Sequence, residues 1–238
     1  MTRVMNTYAL PRQIFPQEIK PIAQREVERI YIQLDRLSSK KIQELQEACQ
    51  TIEKEGLPKS FVLAPLPDGI GKGLFLHPKA SPLEKGKVIA PYAGVVSIQK
   101  EYATEPDDSS YAFAMLFKML LTKSEQQLWD PKSRFHPKRH YMLNLDAEKK
   151  GNFTRYINHS EEPNVEAYLY EIPKNKYGLE PMPIEVIYQV KKKILPCEQL
   201  MVSYEDETKS YWNAIGIKPR PIHPRTYMID EKLKVYQT

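Results

Sequence analysis

Cysteine is nearly absent. Cys49 and Cys197 are the only two in 238 residues, they stand far apart, and neither belongs to a CxxC or Cys/His spacing. That argues against both a disulfide framework and a structural zinc site and leaves the two thiols as packing residues. No apolar run approaches the roughly 18 residues that a membrane helix needs, so no membrane association is expected. The opening MTRVMNTYALPRQIFPQ lacks the apolar stretch and small-residue cleavage site of a signal peptide, which predicts a cytoplasmic chain, although signal-less secretion to a host cell leaves no such mark. Charge of one sign is also scarce. Against 30 acidic residues stand 35 basic ones, a net +5, with no long basic tail, and so modest an excess does not by itself indicate nucleic-acid binding. Internal repeats and low-complexity segments are missing as well.

What is present suits one main soluble domain with an appendage: 41% hydrophobic and 27% charged residues in a chain long enough to bury a real core. Residues 21 to 55 carry apolar positions at Val27, Ile30, Leu34 and Leu37, then at Ile42, Leu45, Cys49 and Ile52. Spacings of three and four predict amphipathic helix. The register slips near Ser38-Ser39, which marks a bend or a break between two helices, and Gly56 with Pro58 closes the segment. From residue 60 the period changes. SFVLAPL, GLFLHP, GKVIAPYAGVV, YMLNLDA, NVEAYLYEI and IEVIYQV are short β-branched or aromatic runs bounded by Gly, Pro, Asn or Asp, and they predict strands. Residues 98 to 140 differ: YAFAMLFKMLLTKSEQQLWD reads as helical and PKSRFHPKRH as a basic loop, so the stretch is expected to be an insertion between strands. IKPRPIHPR, with three prolines, predicts extended chain.

Single motifs say little. DGIGKG, residues 68 to 73, lacks the Walker pattern because Gly73 follows Lys72 where Ser or Thr is required, and no GxGxxG follows. A strand-to-strand turn explains it, though glycines at alternate positions also let a ligand approach the backbone. His159 has no second histidine at ligand spacing and no Ser-His-Asp order around it. Glu161, Glu162 and Glu166 could be the carboxylates of a hydrolase but are more simply solvated. RYINHSEEPN, residues 155 to 164, reads by itself as a loop leaving a strand.

Four segments taken in order carry more: GKGLF at 71 to 75, YAG at 92 to 94, DAEKKGNFTRYINHSEEPN at 146 to 164, and CEQLMVSY at 197 to 204. Together they resemble the SET-domain family of S-adenosylmethionine-dependent protein lysine methyltransferases, over residues 60 to about 212. The compact arrangement with separate N-terminal helices is similar to bacterial members of the chlamydial type. The sequence departs from the family pattern at Glu161, where the family has cysteine, at Met201 in place of a common threonine, and in having no cysteine-rich flanks, so no metal is expected.

The resemblance implies a mainly β fold of small curved sheets with a knot-like C-terminal crossing. Its divisions would be an N-terminal helical segment (1–56), the SET domain (57–212, with an insertion at about 98–140) and a C-terminal extension (213–238). It implies Tyr204 at the methyl-transfer site and Tyr92 in the lysine channel. It places Gly71, Lys72, Gly73, Phe75, Arg155, Asn158, His159 and Trp212 about the cofactor, S-adenosylmethionine. Arg155 would support the geometry of the turn, and Trp212 with Tyr211 would stack on adenine or pack the C-terminal segment to the core. Val202, two residues before Tyr204, would influence how many methyls are added. Glu205, Asp206 and Glu207, with Glu161 and Glu162, would form an acidic rim that attracts a basic protein, so histones or histone-like proteins are the expected substrate and Glu205 and Glu207 its contacts. A weakly active interaction module on the same fold is the alternative. A nucleic-acid role is suggested only by Lys132, Arg134, Lys138 and Arg139, and direct nucleic-acid binding is not expected. The apolar stripe of the N-terminal helices needs a cover, either the main body or a second copy in a homodimer.

Overall fold

The computed structural model describes residues 9–29, 34–67, 71–101, 111–204 and 222–238. Helix α1, Lys20–Arg29, buries Ile22, Ala23 and Glu26, and helix α2, Ser39–Glu55, buries Ile42, Leu45, Cys49 and Ile52. The second set is the stripe expected from the sequence. Ser38 caps α2 at its start, and Gly56 ends it with its amide bonded to the Ile52 carbonyl. The expected slip proves to be a full break. Asp35–Arg36 form strand β1, parallel to Tyr170 and Glu171, so Leu34 and Leu37 are not helical. Their spacing mimicked a helix because Leu37 is buried beside an edge strand for a reason unrelated to helical period.

Strands follow from Phe61 onward: β2 Phe61–Pro65, β3 Lys72–Leu76, β4 Val88–Pro91, β5 Val95–Lys100, β6 Ala112–Leu120, β7 His140–Asp146, β8 Asn158–His159, β9 Val165–Ile172, β10 Met182–Val190, β11 Met201–Val202, β12 Tyr227–Ile229 and β13 Val235–Gln237. They form small sheets in the orders β1-β9-β10-β4, β5-β7-β6, β2-β3, β11-β8 and β12-β13. A 3-10 helix, Phe153–Tyr156, precedes β8.

One expectation is corrected here. YAFAMLFKMLL is a strand, β6, paired antiparallel with β7, and the helical part of the 98–140 stretch is only α3, Lys123–Trp129. The stretch therefore completes a sheet as well as inserting a helix. Two register shifts interrupt β6, at Ala114/Leu116 and Leu116/Met119, and Lys118 sits at φ 54°. Each bulge rotates the strand, so buried Met115 and Leu116, exposed Phe117 and Lys118 and buried Met119 follow one another with a helix-like period. Helix α3 opens on a complete capping box: Thr122 Oγ1 accepts from the Glu125 amide, and Glu125 Oε2 accepts from the Thr122 amide at 2.8 Å. Thr122→Ala is expected to cost about 1 kcal/mol, read as a lower urea midpoint at unchanged slope.

Helices and sheets share one apolar core that runs from Phe15, Ile22 and Leu45 through Leu143, Phe153 and Val186 to Leu200. The stripe of α1 and α2 is thus covered within the chain, and a homodimer would have to use another surface. The N-terminal arm is sewn in ahead of α1. Ile14 bridges parallel to Val95, Gln13 Nε2 donates to the Ile184 carbonyl, and Arg12 holds Glu185. Cys49 is buried against the arm, its thiol donating to the Pro11 carbonyl at 3.6 Å, and burial pushes its pKa up to about 12. A second, smaller core of Ala64, Leu66, Phe75, Tyr227 and Ile229 fastens the C-terminal hairpin to β2 and β3.

Candidate active site

The motif glycines are there because chains pass close. A side chain at Gly94 would meet the Asp146 carbonyl oxygen at 2.4 Å, so the Tyr92-Ala93-Gly94 segment can lie backbone to backbone on the end of β7 only without a Cβ. At Gly73 a Cβ would stand 2.6 Å from Gln199 Nε2. That contact reflects how the C-terminal segment enters. Residues 197 to 200 run antiparallel to β3, with the Cys197 and Leu200 amides bonded to the Leu76 and Leu74 carbonyls, and β11 then turns parallel to β8. Asn164, 4% exposed, clamps the passage. Its Nδ2 donates to the Gln199 carbonyl and its Oδ1 accepts from the Met201 amide, both at 2.9 Å, while its own amide donates to the Met201 carbonyl. Asn152, fully buried, donates to the Pro91 carbonyl and accepts from the Thr154 amide, tying the start of the 3-10 helix to the residue before Tyr92.

These crossings bring three phenols together. Tyr92 is 6% exposed, and its hydroxyl donates to the Tyr111 carbonyl at 2.6 Å. Tyr204 donates its hydroxyl to the Ile157 carbonyl at 2.9 Å, receives its place from an amide bond to His159 Nδ1 at 2.9 Å, and lies with its ring 5.4 Å from the imidazole. Tyr188, on β10, packs its ring 5.6 Å from that of Tyr92. Burial, then the neighbouring Tyr204 phenol, raises the Tyr92 pKa; burial, then Tyr92 and Tyr204, raises that of Tyr188 far above the ordinary phenol value. Both stay neutral at any ordinary pH. With the hydroxyl hydrogens of Tyr92 and Tyr204 committed to carbonyls, their oxygens act toward anything else as acceptors.

Of the residues expected at the site, the structure gathers Tyr92, Val202, Tyr204, Asn158, His159, Gly71, Lys72 and Gly73 around the β3, β8 and β11 crossing. Asn158 Nδ2 donates to the Lys72 carbonyl at 3.0 Å, which joins the glycine turn to the NHS segment. Val202 is buried in register with His159, and its carbonyl accepts from the Ser160 amide. Two more of the expected residues have partners within the protein. Phe75 pairs with Val62 and bridges to Gln199, and its ring is buried in the small core under the C-terminal hairpin with its edge 3.1 Å from the place a Cβ on Gly73 would occupy. Arg155 gives one terminal nitrogen to the Ala147 and Glu148 carbonyls and the other to the Tyr156 hydroxyl, with its plane over the Tyr111 and Tyr156 rings. It braces the turn. Trp212, Glu205, Asp206 and Glu207 lie outside the described residues. Glu161 and Glu162 are exposed on the turn after Ser160, and Glu166, on β9, is bound to Lys191 and to the Tyr168 hydroxyl. Tyr188 escaped the sequence reading, since IEVIYQV shows only an apolar strand. Its signal is a polar hydroxyl in a strand buried at every position.

Comparison with known proteins agrees with this architecture. The structure of ATXR5 in complex with histone H3.1 mono-methylated on R26 superimposes with a TM-score of 0.54 at 16% identity, covering 83% of this chain and 81% of that one. The ATXR5 SET domain in complex with histone H3 di-methylated on R26 gives 0.55 at 19% identity over the same shares. At such identities the likeness is one of fold. SET domain-containing protein 4 of Saccharomyces cerevisiae is 37% identical over 82 residues, which are 34% of this chain and 12% of that protein, so the chain spans only a small part of that relative's length. Residues 79–205, more than half of the chain, match the SET domain family, and the chain belongs to it.

Proposed function

We propose that this protein is an S-adenosylmethionine-dependent lysine methyltransferase acting on a basic protein, of which histones and histone-like proteins are the leading class. The observation that carries the proposal is the group of three phenols, Tyr92, Tyr188 and Tyr204, held beside the crossing of β3, β8 and β11. A lysine amine must arrive uncharged and in line with its methyl donor, so geometry matters more than a strong base. The phenol oxygens of Tyr92 and Tyr204, their hydrogens given to carbonyls, are acceptors that can orient the amine hydrogens. Burial among apolar groups lowers a lysine pKa in the same direction.

The chain also suits the cofactor. Gly71 sits at φ 103°, and among the described residues nothing lies within 4 Å of the place a Cβ would occupy. Next to it Asn158 is only partly buried, with its amide nitrogen on the Lys72 carbonyl. Gly71, Lys72 and Gly73 with Asn158 and the His159 backbone would hold S-adenosylmethionine, which supplies an electrophilic methyl on a sulfonium centre. The substrate class is supported by the complexes of ATXR5 with histone H3 and by Glu161 and Glu162 exposed on the turn beyond Ser160.

Asn158→Ala is expected to weaken S-adenosylmethionine binding by about 1 to 3 kcal/mol, because a polar partner is lost from a site that also fixes the glycine turn. Titration calorimetry giving wild-type affinity would count against this placement. Incubation with labelled S-adenosylmethionine and a mixture of basic proteins, followed by mass mapping, tests the function itself. Binding of the cofactor with no label on any lysine would overturn it.

A further inference from the structure

The basic loop between α3 and β7 is not a loose solvated segment. Gln126, 1% exposed on α3, grips it from inside: its Oε1 accepts from the His136 amide at 2.9 Å and its Nε2 donates to the His136 carbonyl at 3.2 Å. His136 Nδ1 accepts from the Lys138 amide and the His136 carbonyl from the Arg139 amide. At the other end Asp130 accepts from the Ser133 amide through its carbonyl, and its carboxylate binds Lys100 at 3.0 Å and Arg139 at 3.3 Å. Two prolines, Pro131 and Pro137, restrict the chain further. The result is a fixed knuckle on which Lys132, Arg134, Phe135 and Lys138 are all exposed.

Among the described residues its charge is uncompensated. On the flanking elements Asp130 is taken by Lys100 and Arg139 and Glu125 by Arg25, while Glu101 accepts from the Lys118 amide. Among the described residues Lys132, Arg134 and Lys138 make no ion pair. A surface that repels lysine-rich proteins is not a platform for the substrate proposed above, so it fits a partner of the opposite sign.

We propose that this knuckle is a nucleic-acid contact, with Lys132, Arg134 and Lys138 on backbone phosphates. Polyphosphate offers negative charge at fixed, dense spacing, which a pre-ordered cationic array can meet without ordering cost, and the exposed Phe135 adds a ring that unpaired bases can stack on. The placement serves the proposed activity, and in that respect the inference rests on it. Strand β7 leads from the knuckle at His140 to Asp146, which lies against Gly94 beside Tyr92. At about 3.3 Å per residue, nucleic acid on the knuckle sits roughly 20 Å from the three phenols. About six or seven extended residues of a basic tail bridge that distance.

Fluorescence anisotropy tests the contact, with labelled duplex DNA, the same sequence as a single strand, and polyglutamate as the acidic-protein control, across a salt series from about 50 to 200 mM. The protein is the full chain, compared with the triple variant Lys132→Gln, Arg134→Gln, Lys138→Gln and with Phe135→Ala. The triple variant is expected to bind DNA at least 10-fold more weakly at the low-salt end and to flatten the log-log salt slope by roughly 2 to 3 for its three lost phosphate contacts. Its methyl transfer to a free basic protein should equal wild type, while transfer to the same protein bound on DNA falls. For Phe135→Ala, a loss confined to the single strand assigns base stacking, and no loss assigns duplex backbone. Equal affinity and slope in the triple variant would overturn the proposal. So would polyglutamate bound as tightly as DNA, which would assign the knuckle to an acidic protein, or a fall in transfer to the free protein. DNA binding by a wild type that methylates nothing would leave the knuckle standing and remove the proposed activity.

Discussion

Tyr204→Phe is expected to lower the methyl-transfer rate by roughly 10²-fold or more, about 2.7 kcal/mol of barrier, with S-adenosylmethionine affinity close to wild type. The variant keeps the ring against His159 and the amide bond to His159 Nδ1, so the C-terminal segment still has its anchor. What disappears is the hydroxyl on the Ile157 carbonyl, and with it the acceptor oxygen that would orient the amine. An interaction used mainly in the transition state shows in kcat more than in binding. Single-turnover transfer to a lysine substrate, alongside calorimetry for the cofactor, separates the two. Near-normal turnover would remove Tyr204 from the chemistry.

The largest stability effect is expected far from that site, at Arg12→Ala. The guanidinium meets Glu185 with two bonds, Nε to Oε1 at 2.8 Å and a terminal nitrogen to Oε2 at 2.6 Å, and gives a third to the Glu180 carbonyl at 2.7 Å. Burial opposes the charge on Arg12, but the Glu185 carboxylate outweighs it and holds the pKa above the ordinary value. Glu185 is fully buried in the middle of β10. Without Arg12 its charge has lost its counter-ion inside the core, at a cost of about 3 to 5 kcal/mol. Urea unfolding measures this, and adding Glu185→Leu to Arg12→Ala should recover most of the loss, since the uncompensated charge goes with it. A loss below about 1 kcal/mol, within the range of an exposed pair, would mean that water reaches Glu185.

Much of the site was legible because its motifs are local. GKG, YAG, the 146–164 block and CEQLMVSY each keep their residues close along the chain, and each proved to be a turn or close crossing that depends on those residue types, as Gly94 under the Asp146 carbonyl and Asn164 on the 199–201 backbone illustrate. The stripe of α2 was equally plain, because a helix packed on one side repeats its apolar positions. The rest depended on partners remote in sequence. Periodicity records which side of a segment is apolar and not what covers it, so Leu34 and Leu37 resembled a continuing helix until β1 paired with β9, and the bulges of β6 gave a strand the rhythm of a helix.

The amino-acid sequence by itself determined that this chain has a SET fold, where α2 begins and ends, that β2, β3, β7, β9 and β10 are strands, and which short segments meet at the candidate site. Only the tertiary structure decided that Tyr188 joins Tyr92 and Tyr204, which partners the Phe75 ring and the Arg155 guanidinium take, and that Gln126 turns a basic loop into a fixed knuckle. The physical reason is common to all three. A side chain's chemistry is written in its own residue, whereas its burial, its hydrogen-bond partners and the charges it faces come from strands and loops many residues away.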